Sequence, residues 1–211
     1  YKPRDKVSAE WELSGLATDA QGQMNLQYSI ASFDPNGLPL YNVQQEARQA
    51  LSTSKPLPMY FWFDLPRFVP PGSYQVQIKV HDNVTNKDGE LKTSFVIDAP
   101  PLPVSKQLEI RDIHLSLSED GPPVEPPVVQ PGQTVYLVGN LAGMQFRDDR
   151  TEVNLAFELF DPSGDKVIDR PNFLAVNDAF SYHPPTFYLP ISGRVRLPSG
   201  APRGTYIEKY T

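Results

Sequence analysis

The sequence predicts an all-β protein of two tandem two-sheet sandwiches, and three observations carry that prediction. The first is an internal repeat: Val7, Leu13, Gly15 and Leu16 return as Val135, Leu141, Gly143 and Met144, and Phe33-Asp34-Pro35-Asn36-Gly37 returns as Phe160-Asp161-Pro162-Ser163-Gly164. Pro71-Gly72-Ser73-Tyr74 has a looser echo in Arg203-Gly204-Thr205-Tyr206. A period this long matches a whole small domain rather than a solenoid unit. The second is a strict two-residue alternation of apolar and polar side chains, the mark of sheets with one dry and one wet face. The third is proline, 23 of 211 residues, roughly double ordinary usage. Proline lacks an amide donor and locks φ, which excludes long helices and suits short strands joined by stiff loops.

Residues 5–16 alternate Val7, Ala9, Trp11 and Leu13 against Ser8, Glu10, Glu12 and Ser14, predicting a strand. A hairpin loop spans 17–23. Residues 24–33 alternate again through Met24, Leu26, Tyr28 and Ile30, and Asp34-Pro35-Asn36-Gly37 ends them with turn chemistry. A short strand is expected at 38–43. Residues 44–52, with Gln44, Gln45, Glu46, Ala47, Arg48, Gln49, Ala50 and Leu51, favour helix over strand by propensity, so one or two helical turns are expected before Pro56. Strands follow at 58–65, 72–81 and 91–97, the last two joined by a hairpin at Asn86-Lys87-Asp88-Gly89.

Ala99-Pro100-Pro101-Leu102-Pro103 reads as an extended, semi-rigid link. The expected domains are therefore 1–98 and 105–211, with 99–104 between them. In the second, strands are expected at 108–117, 133–141 and 153–160, with a proline loop at 121–130. Weaker strands are expected near 173–176, 186–189, 194–197 and 205–210. Set side by side, the copies differ at their ends: the strand at 108–117 has no forerunner in copy one, and the strand after Tyr74's has no sequel in copy two. The expectation is an excerpt lacking a leading strand of copy one and a closing strand of copy two.

Composition narrows the function classes. The net charge is −6, with 9 basic and 11 acidic residues in 1–98 and 10 and 14 in 99–211. Phosphate backbones and anionic lipid both need basic surplus, so nucleic acid is not an expected partner. No apolar run approaches the roughly 18–20 residues that span a bilayer, so membrane insertion is not expected. The absence of cysteine removes disulfides, thiolate nucleophiles and Cys-ligated zinc.

The run Pro71-Gly72-Ser73-Tyr74-Gln75-Val76-Gln77-Ile78-Lys79-Val80-His81-Asp82, with Thr93-Ser94-Phe95-Val96-Ile97 after a hairpin, resembles the last two strands of immunoglobulin-like and fibronectin type III-like domains of bacterial exported proteins. The resemblance implies immunoglobulin-like sandwiches, an extracellular or periplasmic location, and a structural or adhesive module rather than an enzyme. It also implies a corner tyrosine at Tyr74, its ring in the core and its hydroxyl on nearby backbone. Trp11 is a candidate core anchor with no disulfide to meet.

Site signals are sparse. His81, His114 and His183 share no strand-face or helix-face spacing, so no histidine metal site, and no other cofactor, is expected. His81-Asp82 lies in no nucleophile-elbow context, and no catalytic residue is assigned. The acidic groups Asp82, Asp88, Glu90 and Asp148, Asp149, Glu152 lack the ordered spacing of a calcium loop and read as solvated. Asn83-Val84-Thr85 matches a glycosylation acceptor, to which little weight attaches. The candidate binding residues are Tyr60 and Trp62, within Tyr60-Phe61-Trp62-Phe63. Alternation that buries Phe61, Phe63 and Leu65 turns Tyr60 and Trp62 outward, as a platform for a sugar or for a partner protein's side chains. The competing and favoured reading has the segment 43–51, or the other domain, covering them. The leading expectation for the whole is a non-catalytic spacer or interaction module. A carbohydrate-binding or adhesive unit and an accessory domain of a hydrolase stand as alternatives, and the oligomeric state is left open.

Overall fold

The computed structural model describes residues 1–51, 56–119 and 121–211. It is all-β: every helix or strand element among the described residues is a strand, and each pairing is antiparallel. The chain divides into two compact units, Tyr1–Pro103 and Val104–Thr211.

Unit one holds β1 (Lys6–Leu13), β2 (Gln23–Phe33), β3 (Pro39–Ala50), β4 (Leu57–Asp64), β5 (Gly72–Asp82) and β6 (Lys87–Ile97). β1 and β4 form one sheet, and β3-β2-β5-β6 the other. Alternation decides which side chains meet: Val7, Leu26, Ile30, Phe61, Phe63, Val76 and Ile78 are all buried. Aromatic rings bridge the sheets, with Tyr41 stacked on Phe63 at 4.9 Å and Phe63 edge-on to Phe95 at 6.2 Å. Each such buried phenyl contributes about 1.5–3 kcal/mol.

Unit two holds β7 (Glu109–Ser116), β8 (Thr134–Ala142), β9 (Arg150–Phe160), β10 (Lys166–Ala179), β11 (Tyr188–Arg196) and β12 (Ile207–Tyr210). Its sheets are β11-β8-β7 and β10-β9-β12. The sequence repeat is a repeat of register. Val7 faces Phe63 as Val135 faces Val195, and Phe33 faces Gln75 as Phe160 faces Ile207. Two strands fall outside the correspondence: β7 has no equivalent in unit one, and β6 none in unit two, among the described residues.

The repeated Phe-Asp-Pro-x-Gly turns are built alike. Asp34 Oδ1 accepts from the amides of Asn36 and Leu38, and Asp161 Oδ1 from those of Ser163 and Asp165. The prolines that follow explain two glycines. Gly72 and Gly204 sit at φ +135° and +146°, and a Cβ on either would lie 2.8 Å from Pro35 Cγ or 2.4 Å from Pro162 Cγ. Backbone conformation and space both select glycine there. Two residues on, the Tyr74 hydroxyl donates to Pro70 O at 2.9 Å and the Tyr206 hydroxyl to Pro202 O at 2.8 Å. The corner tyrosine inferred at Tyr74 thus has a counterpart in unit two.

Three expectations are corrected. Residues 44–50 are strand, not helix: β3 pairs with β2 from Pro39 to Ala50, and Leu51 N continues to Gly22 O. A continuous ladder outweighs a propensity preference of a few tenths of a kcal/mol per residue. Ser52, the last residue of the expected helix, lies outside the described residues. The β5–β6 hairpin turns at residues 83–86 rather than 86–89, because Asp82 holds the turn from its first position, accepting from Val84 N and Thr85 Oγ1. Lastly, the separate strands expected at 186–189 and 194–197 are one, β11, paired with β8 across Ile191, Ser192 and Gly193.

Candidate functional site

β1 and β4 expose one face, and that face carries the candidate residues. Pairing sets Ser8 opposite Trp62 and Glu10 opposite Tyr60. Phe61 and Phe63 point inward at 7% and 6% exposure, while Tyr60 and Trp62 stand outward at 75% and 52%. Of the covers favoured from sequence, the segment 43–50 does not supply one. The segment 43–50 is spent on β3 in the opposite sheet, where Tyr41 packs from within on Phe61 and Phe63. Covering a two-stranded sheet from outside would need a further layer, and β3 is paired with β2 instead.

Lys6 is the neighbour the sequence did not single out. Its Nζ lies 4.0 Å from the centre of the Trp62 ring, a cation–π contact that holds the indole in place. The signal lay in the alternation: Lys6, Ser8, Glu10 and Glu12 share a face of β1, so any aromatic on the same face of β4 has charged neighbours. Aromatic faces flanked by Lys and Glu offer stacking surface and hydrogen-bonding groups together. Trp11, on the buried face, is partly buried and meets Phe61 edge-on at 5.8 Å.

The histidines lie apart, each with its own partner. His81 Nδ1 is 2.9 Å from Asp88 Oδ1, and His114 Nδ1 is 2.9 Å from Asp112 O. His183 Nε2 is 3.0 Å from Asp149 Oδ1, with its ring stacked on Phe146 at 4.1 Å. The acidic groups read as solvated are likewise spread over separate contacts. Asp82 caps the hairpin, and Glu90 pairs with Lys92 at 3.3 Å and with Gln77. Among the described residues no three of His, Asp and Glu gather in a way that would hold a metal ion.

Buried carboxylates here serve turns. Burial works against the charged form of Asp82, but hydrogen bonds from Thr85 and from the amides of Val84, Ala17 and Thr85 outweigh it and hold the carboxyl below its usual range. Asp161 is held low chiefly by the Ser163 hydroxyl, with the amides of Asp165, Ser163 and Gly164 adding to it against burial.

Two concavities escaped the sequence reading, because each depends on which strands lie side by side. One is a polar trough of about 870 Å³ over the four-stranded sheet of unit one, lined by Gln27, Gln44, Lys79, His81 and Glu90 among others. The other is a groove of about 850 Å³ in unit two that opens beside β12 and reaches core residues.

No helix among the described residues is long and apolar enough to cross a membrane. No family model and no curated protein matches the chain. Among solved structures, the chain is similar to the crystal structure of the chicken CNTN1 FN1-FN3 domains, at 10% identity over 100% of this chain and 67% of that one. The TM-score of 0.19 is too small to carry an assignment, so the all-β description rests on the strands and their registers.

Proposed function

We propose that this chain is a non-catalytic module of an exported protein, serving as a spacer or interaction surface. The observation that carries the reading is that one two-sheet plan is built twice with the same registers, while the conserved-by-repeat polar groups, Asp34 and Asp161, are spent on holding turns. Such a scaffold leaves loops and outer faces free for contacts. A thermal-shift screen of the chain against sugars, nucleotides and divalent cations tests it. A spacer shows no stabilisation by any of them, and saturable stabilisation by a nucleotide or a divalent cation, followed by turnover of a small substrate in a direct assay, would overturn the reading.

The exposure of Tyr60 and Trp62 favours a second reading, a carbohydrate-binding or adhesive face. On that reading Trp62→Ala weakens glycan binding by roughly 1–3 kcal/mol while leaving the fold intact. Acrylamide quenching provides the structural check: Trp62 is the accessible indole, so Trp62→Phe should remove the readily quenched part of the emission. Equal shielding of both tryptophans would remove the platform.

A further inference from the structure

β3 and β10 are equivalent edge strands with unlike edges. Among the described residues each pairs on one side alone, β3 with β2 and β10 with β9, and the repeat makes β2 and β9 counterparts through Phe33 and Phe160. Natural sheets blunt such edges with prolines and bulges, which break the row of amides that another strand could use. β10 has both: Pro171 lies within the register shift between Arg170 and Leu174, and a second shift lies between Lys166 and Ile168. β3 has neither from Tyr41 to Ala50, where it pairs residue for residue with β2.

The ladder fixes which way the amides of β3 point. Leu51 N donates to Gly22 O, in step with the pairs Gln23–Ala50 and Met24–Gln49, so the odd-numbered residues bond to β2. The amides and carbonyls of Asn42, Gln44, Glu46, Arg48 and Ala50 are then directed away from it, and those five residues are all exposed. This edge is its own complement. A two-fold axis perpendicular to the sheet sets even residues of one copy opposite even residues of a second. With the axis at Glu46 or at Arg48, like charges meet. With it at Ala47, Glu46 faces Arg48 and Arg48 faces Glu46, while Gln45 faces Gln49 on the other side of the sheet. That register makes ion pairs twice over and sets no like charges opposite. Both side chains have capacity for it: Glu46 Oε1 accepts from Gln27 Nε2 at 3.2 Å, and Arg48, its side chain 63% exposed, reaches Asp19 at 3.5 Å.

We propose that the outer edge of β3 is a self-association site, where a second copy of this chain pairs its own β3 antiparallel, with Ala47 on the two-fold axis, and joins two four-stranded sheets into one. Main-chain pairing supplies the affinity, and the reciprocal Glu46–Arg48 contacts supply the register. A contact along one strand is small, so the dimer is weak, with a dissociation constant of about 0.01–1 mM. The site lies in the sheet opposite to that of Tyr60 and Trp62, so its failure would leave the module reading and the glycan reading standing.

Sedimentation equilibrium of the intact chain up to about 1 mM tests it, with amide exchange at low and high concentration to map the contact. A monomer–dimer equilibrium is expected, with protection gained on dimerisation within residues 42–50. Glu46→Arg alone and Arg48→Glu alone should each weaken self-association roughly tenfold or more, because every ion pair becomes a like-charge contact. An equimolar mixture of the two variants should associate again, since the new arginine of one faces Arg48→Glu of the other and Glu46 of the second faces Arg48 of the first. That recovery also shows that both variants are folded. The chain carrying both substitutions should dimerise with itself and not with the unsubstituted chain. A chain that stays monomeric at about 1 mM, a dimer indifferent to both single variants, a mixture that associates no better than its parts, or protection gained elsewhere would each overturn the proposal.

Discussion

Asp34 shows how much one side chain decides. At 3% exposure it accepts from the amides of Asn36 and Leu38, and Asp34→Ala would leave those donors without this acceptor, at a cost of about 1–3 kcal/mol. Urea unfolding of unit one should show that loss. Asp82 predicts a pH dependence. Its carboxyl is held below its usual range in the fold, so its contribution to stability is present above the unfolded carboxylate pKa and is lost as pH falls through the folded value. Acid titration should therefore destabilise the chain below about pH 4, and Asp82→Asn should flatten that limb; an unchanged limb would show that other carboxylates carry it. The turn residues were legible in sequence because Asp-Pro-x-Gly is a local code. Thr85 and Val84 as partners of Asp82 are not, since Asn86-Lys87-Asp88-Gly89 points to a turn three residues later than the one formed at 83–86. Asn86, at φ +55°, closes the turn where a glycine would have advertised it.

At the scale of the strand, β4 separates two roles along one backbone. Phe61→Ala should cost about 3–5 kcal/mol, whereas Trp62→Ala, one residue on and facing solvent, should fall within about 1 kcal/mol. Thermal unfolding of the pair would read the strand's two faces directly, and equal losses would mean that Trp62 is covered. The same strand in unit two reaches the same core by another route. Gly193 lies where Phe61 lies in unit one, and Phe173 fills the space: a Cβ on Gly193 would come within 2.0 Å of its ring. Phe173 arrives through a bulge in β10 between Arg170 and Leu174, at a proline that suits an interrupted ladder. Gly193→Ala should therefore destabilise unit two by about 1–3 kcal/mol, with Phe173→Leu on the same background restoring part of the loss. Alternation told which residues of β4 face inward, but the Phe173 exchange is a contact between distant segments and leaves no periodic trace. The helix expected at 44–52 failed for a related reason: propensity is local, and β2 offers residues 44–50 a full ladder of partners.

Across the whole molecule, duplication explains both the likeness of the units and their differences. One plan, with a capped Asp-Pro turn, a glycine against the proline and a corner tyrosine, serves twice. Among the described residues, unit one carries β6 beside β5 in its four-stranded sheet, while unit two carries β7 beside β8 in its other sheet.

By itself the sequence determined the all-β class, the repeat, and the inward and outward sides of most strands. These follow from two-residue periodicity and turn chemistry, which act between near neighbours along the chain. Only the tertiary structure decided that residues 43–50 pair with β2 instead of covering Tyr60 and Trp62, that Lys6 sits over the indole, and that Phe173 fills the space beside Gly193. Each depends on which strand lies beside which, and strand neighbours are chosen by burial and register over long separations.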